Sequence, residues 1–201
     1  MTLDRAGWPF VAGLCAFTLV LLWFAPVLAV VGAALLVFAL NFFRDPERRA
    51  PAETGALISP ADGRVVRADG KRISIFMNVF DVHVCRSPVA GRVTSVAHDP
   101  GRFLAAMKDE ASELNERTAI VVQAPDGNPV RFVLVAGLIA RRIVCRVAVG
   151  RNVAAGERVG IIRFGSRVDL DLPSGAAPAV KVGDRVVAGE TVVARAGSRP
   201  A

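Results

Sequence analysis

Hydrophobic and polar positions divide the chain into two parts with different periods. From Trp8 to Phe43 there is no charged side chain, a run well beyond the ~20 apolar residues that one bilayer-crossing helix needs. Pro26 lies at its middle, and a proline inside a helix removes an amide donor and clashes with the preceding turn. The pattern therefore predicts two apolar helices, 8–25 and 27–43, each slightly short of a comfortable span. Two arrangements satisfy it: a tight hairpin across the membrane, or a helical pair that dips into one leaflet. The run ends in Asn41-Phe42-Phe43-Arg44-Asp45-Pro46-Glu47-Arg48, where aromatics followed by arginines suit a membrane interface and Pro46 stops the helix.

Beyond Leu57 the period changes to short alternating or apolar runs punctuated by Gly and Pro. These predict strands at 64–68, 72–77, 79–85, 92–97, 119–123, 130–135, 143–149, 158–163, 168–172 and 191–196. Pro125-Asp126-Gly127-Asn128-Pro129 is a turn between two of them. One window, 103–114, reads as helix, with Phe103, Met107, Ala111 and Leu114 at spacings of three and four. Alternation in 79–85 would set Asp81, His83 and Cys85 on one face and Val82 and Val84 on the other.

Two phrases repeat. Ser59-Pro60-Ala61-Asp62-Gly63-Arg64-Val65 recurs as Ser87-Pro88-Val89-Ala90-Gly91-Arg92-Val93. The stretch 147–157 recurs as 180–190 in the pattern V-x-V-G-x-x-V-x-A-G-E. The second phrase resembles the strand–turn–strand unit of lipoyl and biotinyl carrier domains, which are flattened barrels. A carrier displays its lysine at a hairpin tip, whereas Lys181 lies inside the phrase. The expectation is thus a mainly β, barrel- or sandwich-like catalytic domain (45–201) with little helix, preceded by an N-terminal helical membrane hairpin (1–44).

Charge sharpens this picture. Residues 1–43 hold only Asp4 and Arg5, so the net charge of +7 belongs to the remainder. A basic domain tied to a bilayer is drawn to anionic headgroups by about 1 kcal/mol for each Lys or Arg near the surface. No nucleic-acid motif competes with that reading, and there is no Tyr and no basic run interleaved with aromatics. The positive-inside tendency places Arg5 and Arg44, Arg48 and Arg49 on the cytoplasmic side of a cell membrane. A weakly basic start followed by two apolar segments does not suit a cleaved signal peptide. Cys15, Cys85 and Cys145 form no CxxC, so neither a disulfide framework nor a metal site is expected.

Candidate chemistry is sparse, which helps. There are two histidines, His83 before a Ser-Pro turn and His98, which reads as a loop residue. Asp62, in an Asp-Gly turn, and Ser166, after Gly165, complete an Asp, His, Ser set able to activate a serine through a base. Gly165-Ser166 lies between the two copies of the longer phrase, at a strand-to-strand junction. It is not a G-x-S-x-G elbow, because the outer glycines are absent. A plain hairpin turn is the competing reading. Asn115-Glu116-Arg117 closes the predicted helix.

Taken together these phrases resemble phosphatidylserine decarboxylase in its short bacterial (type A) form. The resemblance runs through Phe42-Phe43-Arg44-Asp45-Pro46, Ser59-Pro60-Ala61-Asp62-Gly63, Asp81-Val82-His83-Val84 before Arg86-Ser87-Pro88, Asn115-Glu116-Arg117, and Phe164-Gly165-Ser166. It implies a pyruvoyl enzyme that makes its own cofactor. Ser166 Oγ attacks the Gly165 carbonyl, and β-elimination and loss of ammonia leave a pyruvoyl group. The products are a β chain, 1–165, and an α chain beginning at former Ser166, which stay together. The substrate amine forms a Schiff base with the pyruvoyl carbonyl, CO2 leaves, and phosphatidylethanolamine results. Asp62 and His83 are implied as activators of Ser166, and Arg86, Asn115 and Arg117 as substrate-binding residues. Longer members carry two histidines three residues apart, and here Arg86 stands in the second place. Partners implied are phosphatidylserine and an anionic membrane surface, and a homo-oligomer is compatible with the sequence. Two alternatives stand beside this: a decarboxylase of another serine phospholipid such as archaetidylserine, and a non-enzymatic membrane-anchored β-barrel adaptor.

Overall fold

The computed structural model describes residues 2–101, 114–137, 142–163 and 166–195. The chain divides into two compact units, Met1–Glu47 and Arg48–Ala201.

In the first unit, β1 (Thr2–Leu3) pairs antiparallel with β2 (Arg44–Asp45) and closes the base of a hairpin made by α1 (Trp8–Phe24) and α2 (Pro26–Phe42). Pro26 opens the second helix instead of preceding it, because a first-turn amide has no intrahelical acceptor to lose. The turn keeps its amides occupied: Ala25 N donates to Leu21 O at 2.7 Å and Leu28 N to Ala25 O at 2.9 Å. The helices approach closely where a side chain on Gly32 would lie 2.6 Å from Thr18 Oγ1. Most of the remaining side chains are exposed, and Trp23, Phe24 and Val27 at the tip are about four-fifths so. The helical stretch Arg5–Phe24 is 20 residues long and apolar enough to cross a membrane. At 1.5 Å per residue, the 17-residue α2 spans about 25 Å.

The second unit is mainly β. Its strands are β3 (Ala56–Ile58), β4 (Gly63–Ala68), β5 (Arg72–Met77), β6 (Val84–Arg86), β7 (Gly91–Asp99), β8 (Arg117–Gln123) and β9 (Pro129–Ala136). There follow β10 (Ile143–Cys145), β11 (Asn152–Val153), β12 (Arg158–Ile162), β13 (Ser166–Asp171), β14 (Ala177–Pro178), β15 (Arg185–Val186) and β16 (Val192–Arg195). An eight-stranded sheet runs β11-β7-β8-β9-β13-β5-β4-β15, and two three-stranded sheets run β10-β12-β6 and β14-β16-β3. Among the described residues none of these sheets is closed, so the expected barrel is an open, layered one.

The orders conceal a pseudo-twofold relation. Exchanging β3 with β6, β4 with β7, β5 with β8, and β9 to β12 with β13 to β16 reverses the large sheet and interchanges the small ones. The axis passes between β9 and β13. The sequence repeats are the local cause. Ser59 Oγ and Ser87 Oγ each donate to the carbonyl two residues on, at 2.6 and 2.7 Å. Gly63 and Gly91 follow with φ of 143° and 155°, and a Cβ at either would lie 2.1 Å from a carbonyl oxygen of the next strand. Only glycine tolerates both that angle and that approach. The longer repeats dock on the shorter ones: Gly156 N donates to Ser87 O at 2.9 Å and Gly189 N to Ser59 O at 2.8 Å.

The core lies between the sheets and includes Ile73, Ile75, Ile120, Phe132, Leu134, Val168 and Leu170, all fully buried. Two expectations change. The strand expected at 79–85 is mostly a turn, because Asn78 and Asp81 bond each other's backbone and stop β5: Asn78 N donates to Asp81 Oδ2 at 2.9 Å and Asp81 N to Asn78 O at 3.0 Å. Asp81, His83 and Cys85 therefore do not share a strand face. The strand expected at 143–149 ends at Cys145. The expected helix 103–114 lies outside the described residues except for Leu114.

Candidate active site

Ser166 and His83 lie at a junction where two chain segments change sheets side by side. β5 leaves the large sheet after Met77 and continues through 78–83 into β6. β12 leaves the small sheet after Ile162 and continues through 163–165 into β13. The segments are paired on both sides of the crossing: Ser166 stands opposite Met77, Ile161 opposite Val84, and Ile162 N donates to His83 O at 3.3 Å. Phe164 and Gly165 lie outside the described residues.

Ser166 is fully buried as the first residue of β13, between β5 and β9, with Met77 and Ala136 as its neighbours. Its hydroxyl points to the Met77 thioether, Oγ to Sδ 3.9 Å. Sulfur is a weak acceptor, so no strong structural hydrogen bond among the described residues consumes this hydroxyl. Met77, Ala136 and Val168 belong to the core, which puts Ser166 on the inner face of the sheet.

His83 is also fully buried. Its Nδ1 lies 2.9 Å from the Asp81 carbonyl oxygen. A carbonyl only accepts, so the neutral ring carries its proton on Nδ1 and its lone pair on Nε2. Asp81 thus orients His83 through its backbone, while its carboxylate holds the turn. Asp62 is fixed elsewhere in the same layer: Oδ1 accepts from Ala188 N at 2.7 Å and Oδ2 from Arg48 at 3.1 Å. Its charge reaches Cys85, two residues past His83, whose thiol is pushed up first by burial and then by Asp62. Cys85 donates to His83 O at 3.6 Å.

The three expected substrate-binding residues separate. Asn115 is buried at the junction, donating from Nδ2 to the carbonyl of Ala136, the strand partner of Ser166, at 2.7 Å. Arg86 is buried at the far end of β6, where Nη1 donates to Gly156 O at 2.9 Å and the stem lies against Gly189, between the two repeat turns. Arg117 stands in the row Arg167–Val135–Arg117, one register step from Ser166 and on the other face of the sheet, and pairs with Asp99 at 3.0 Å. His98, expected in a loop, lies in β7 with Nδ1 3.0 Å from Thr118 Oγ1.

Residues not singled out beforehand complete the frame. Arg167, next to Ser166, is buried on the outer face, with Nε donating to Asp169 at 2.6 Å and Nη2 to Ser74 at 2.8 Å. The signal was present as opposite charges two apart on a strand. Arg48, on Asp62 and Glu190, had no signal beyond its place after the apolar run.

The mainly β unit thus holds a buried serine at a strand junction and a buried, tautomer-fixed histidine on the adjoining segment. The family model for phosphatidylserine decarboxylase matches residues 35–194, four-fifths of the chain. The chain belongs to the phosphatidylserine decarboxylase family, whose members are carboxy-lyases of phospholipid biosynthesis.

Proposed function

We propose that the chain is a membrane-anchored, self-processing decarboxylase that converts phosphatidylserine to phosphatidylethanolamine and CO2 at a pyruvoyl group made from Ser166. The junction carries the reading: Ser166 Oγ faces a thioether on a strand gripped from both sides, and His83 is buried on the segment alongside.

His83 is the base. With its proton held on Nδ1 by Asp81, Nε2 has the lone pair needed to take the Ser166 hydroxyl proton. As that proton leaves, Oγ bonds to the carbonyl carbon of residue 165, the peptide C–N bond breaks, and the proton passes to the new amine. Loss of the residue-166 α-proton with departure of the residue-165 carboxylate follows, and water then replaces ammonia to leave the ketone. The finished group supplies an electrophilic carbonyl that takes up the substrate amine and accepts the electron pair released with CO2. Asp62 is the positioning carboxylate of this reading, itself held by Arg48 and the Ala188 amide. Asn115 fixes the Ala136 carbonyl opposite residue 166. Arg86 and Arg117 serve the frame in this reading, not the substrate.

The two fragments stay together because β13 to β16 are woven into sheets with β3, β4, β5 and β9. The apolar hairpin holds the enzyme at the cytoplasmic face of the cell membrane, where a substrate that does not leave the bilayer is within reach. Ser166→Ala is expected to remain one chain and to release no CO2. Normal turnover by that variant would refute the mechanism.

A further inference from the structure

The rim of the large sheet that carries the candidate site also carries exposed apolar side chains. β5 and β9 end there, and β13 and β8 begin there, as the row Met77, Ser166, Ala136 and the neighbouring pair Val135–Arg117 require. Phe80, three residues past Met77, is 67% exposed. Its turn is a fixed one: Phe80 N donates to Asn78 Oδ1 at 2.8 Å and Asn78 N to Asp81 Oδ2 at 2.9 Å. Leu114, three residues before Arg117, is 44% exposed. The strands from which the two depart are three spacings apart, about 15 Å. A cation accompanies them. Arg142 is exposed, and its carbonyl accepts from the amide of Arg163, three residues before Ser166, at 3.3 Å.

We propose that this rim is the surface on which the second unit docks to an anionic phospholipid bilayer. Phe80 and Leu114 enter the headgroup layer, and Arg142 meets its phosphates. A single exposed hydrophobe means little. Two of them, flanking a buried reactive residue and joined by the exposed Arg142 on one rim, match the apolar and anionic layers of a lipid surface together. The apolar hairpin tethers the chain to a bilayer but does not by itself aim residue 166 at it. Docking by the rim does. The inference rests on the reading of the substrate as phosphatidylserine.

The opposite rim supplies a control in Val149, which is 63% exposed and whose turn is fixed by Gly150 N donating to Val93 O at 2.8 Å. The full chain would be assayed for CO2 release from long-chain phosphatidylserine in anionic vesicles and from a short-chain form kept monomeric. Phe80→Asp and Leu114→Asp are each expected to lower the vesicle rate about tenfold, to leave the monomer rate unchanged, and to cleave normally, with Val149→Asp unaffected. An unchanged vesicle rate, or equal losses on both substrates, would overturn the proposal. Because the only tryptophans are Trp8 and Trp23, Phe80→Trp in a Trp8→Phe/Trp23→Phe chain gives a second readout. Quenching of its emission by lipids brominated near the headgroup is expected, and no quenching would overturn docking. Wild-type protein that releases no CO2 from either substrate would count against the proposed activity, and the quenching arm would still decide the rim.

Discussion

The pair Arg167–Asp169 makes the strand that begins at Ser166 unusually sensitive to single substitutions. Both side chains are about 1% exposed, with Nε 2.6 Å from Oδ1. Two charges taken out of water recover their desolvation cost only from each other and from further hydrogen bonds, here including Ser74 Oγ. Removing one charge leaves the other buried without that compensation, at about 3–5 kcal/mol. Against a total stability of about 5–15 kcal/mol this is a large fraction. For a chain of this size each kcal/mol moves Tm by about 2–4 °C. Arg167→Met and Asp169→Asn are therefore each expected to lower Tm by roughly 6–20 °C. The assay is thermal unfolding in detergent on the uncut Ser166→Ala chain, so that one covalent species unfolds. The double variant Arg167→Met/Asp169→Leu should recover most of the loss, since apolar residues of similar volume often replace a buried pair without cost. Single variants that unfold within a degree or two of the parent, or a double variant worse than either, would refute the reasoning.

Three further outcomes follow from other parts of the structure. Arg48→Met removes the cation from Asp62 and should slow self-cleavage about tenfold, as loss of a charge-assisted hydrogen bond would, with Arg48→Lys partly restoring it. A denaturing-gel time course checks this, and an unchanged cleavage rate would dismiss the link. Cys85, buried and with its thiol pushed up by burial and Asp62, should resist alkylation at pH 8 while the half-buried Cys145 reacts, as peptide mass mapping would report. Asp69 is held down to about 2 by the Arg67 guanidinium and the amides of Lys71 and Arg72. Its carboxyl should titrate there by NMR and return toward the ordinary range in Arg67→Ala. Any stability it contributes is present above the unfolded value of about 3.9 and is lost as pH falls toward 2.

Much of the fold was legible because its signals are local. An uncharged run broken by Pro26 dictates a hairpin, and Pro-Asp-Gly-Asn between apolar runs dictates the β8–β9 turn, where Gly127 has φ 84°. The repeats carried more than a fold class, since Gly63 and Gly91 each mark a place where a neighbouring backbone approaches, and the pairing of those places is the pseudo-twofold. The stretch 79–85 is mostly a turn although Asp81-Val82-His83-Val84-Cys85 alternates like a strand. There the side chains of Asn78 and Asp81 offered the backbone better partners than a sheet would. Arg86 shows a second limit. Its partner Gly156 is 70 residues away, so its position between turns is a tertiary fact with no local trace. Arg117 shows a third, since its face of the sheet depends on a register set by β9 and β13.

The proposed mechanism depends most on the bond between residues 165 and 166. Intact-mass analysis of the purified wild-type chain, run beside a denaturing gel, tests it directly. Two fragments are expected, 1–165 and 166–201, with the smaller carrying a pyruvoyl group and blocked to Edman degradation. A single uncut chain of 201 residues in a preparation that releases CO2 from phosphatidylserine would contradict it.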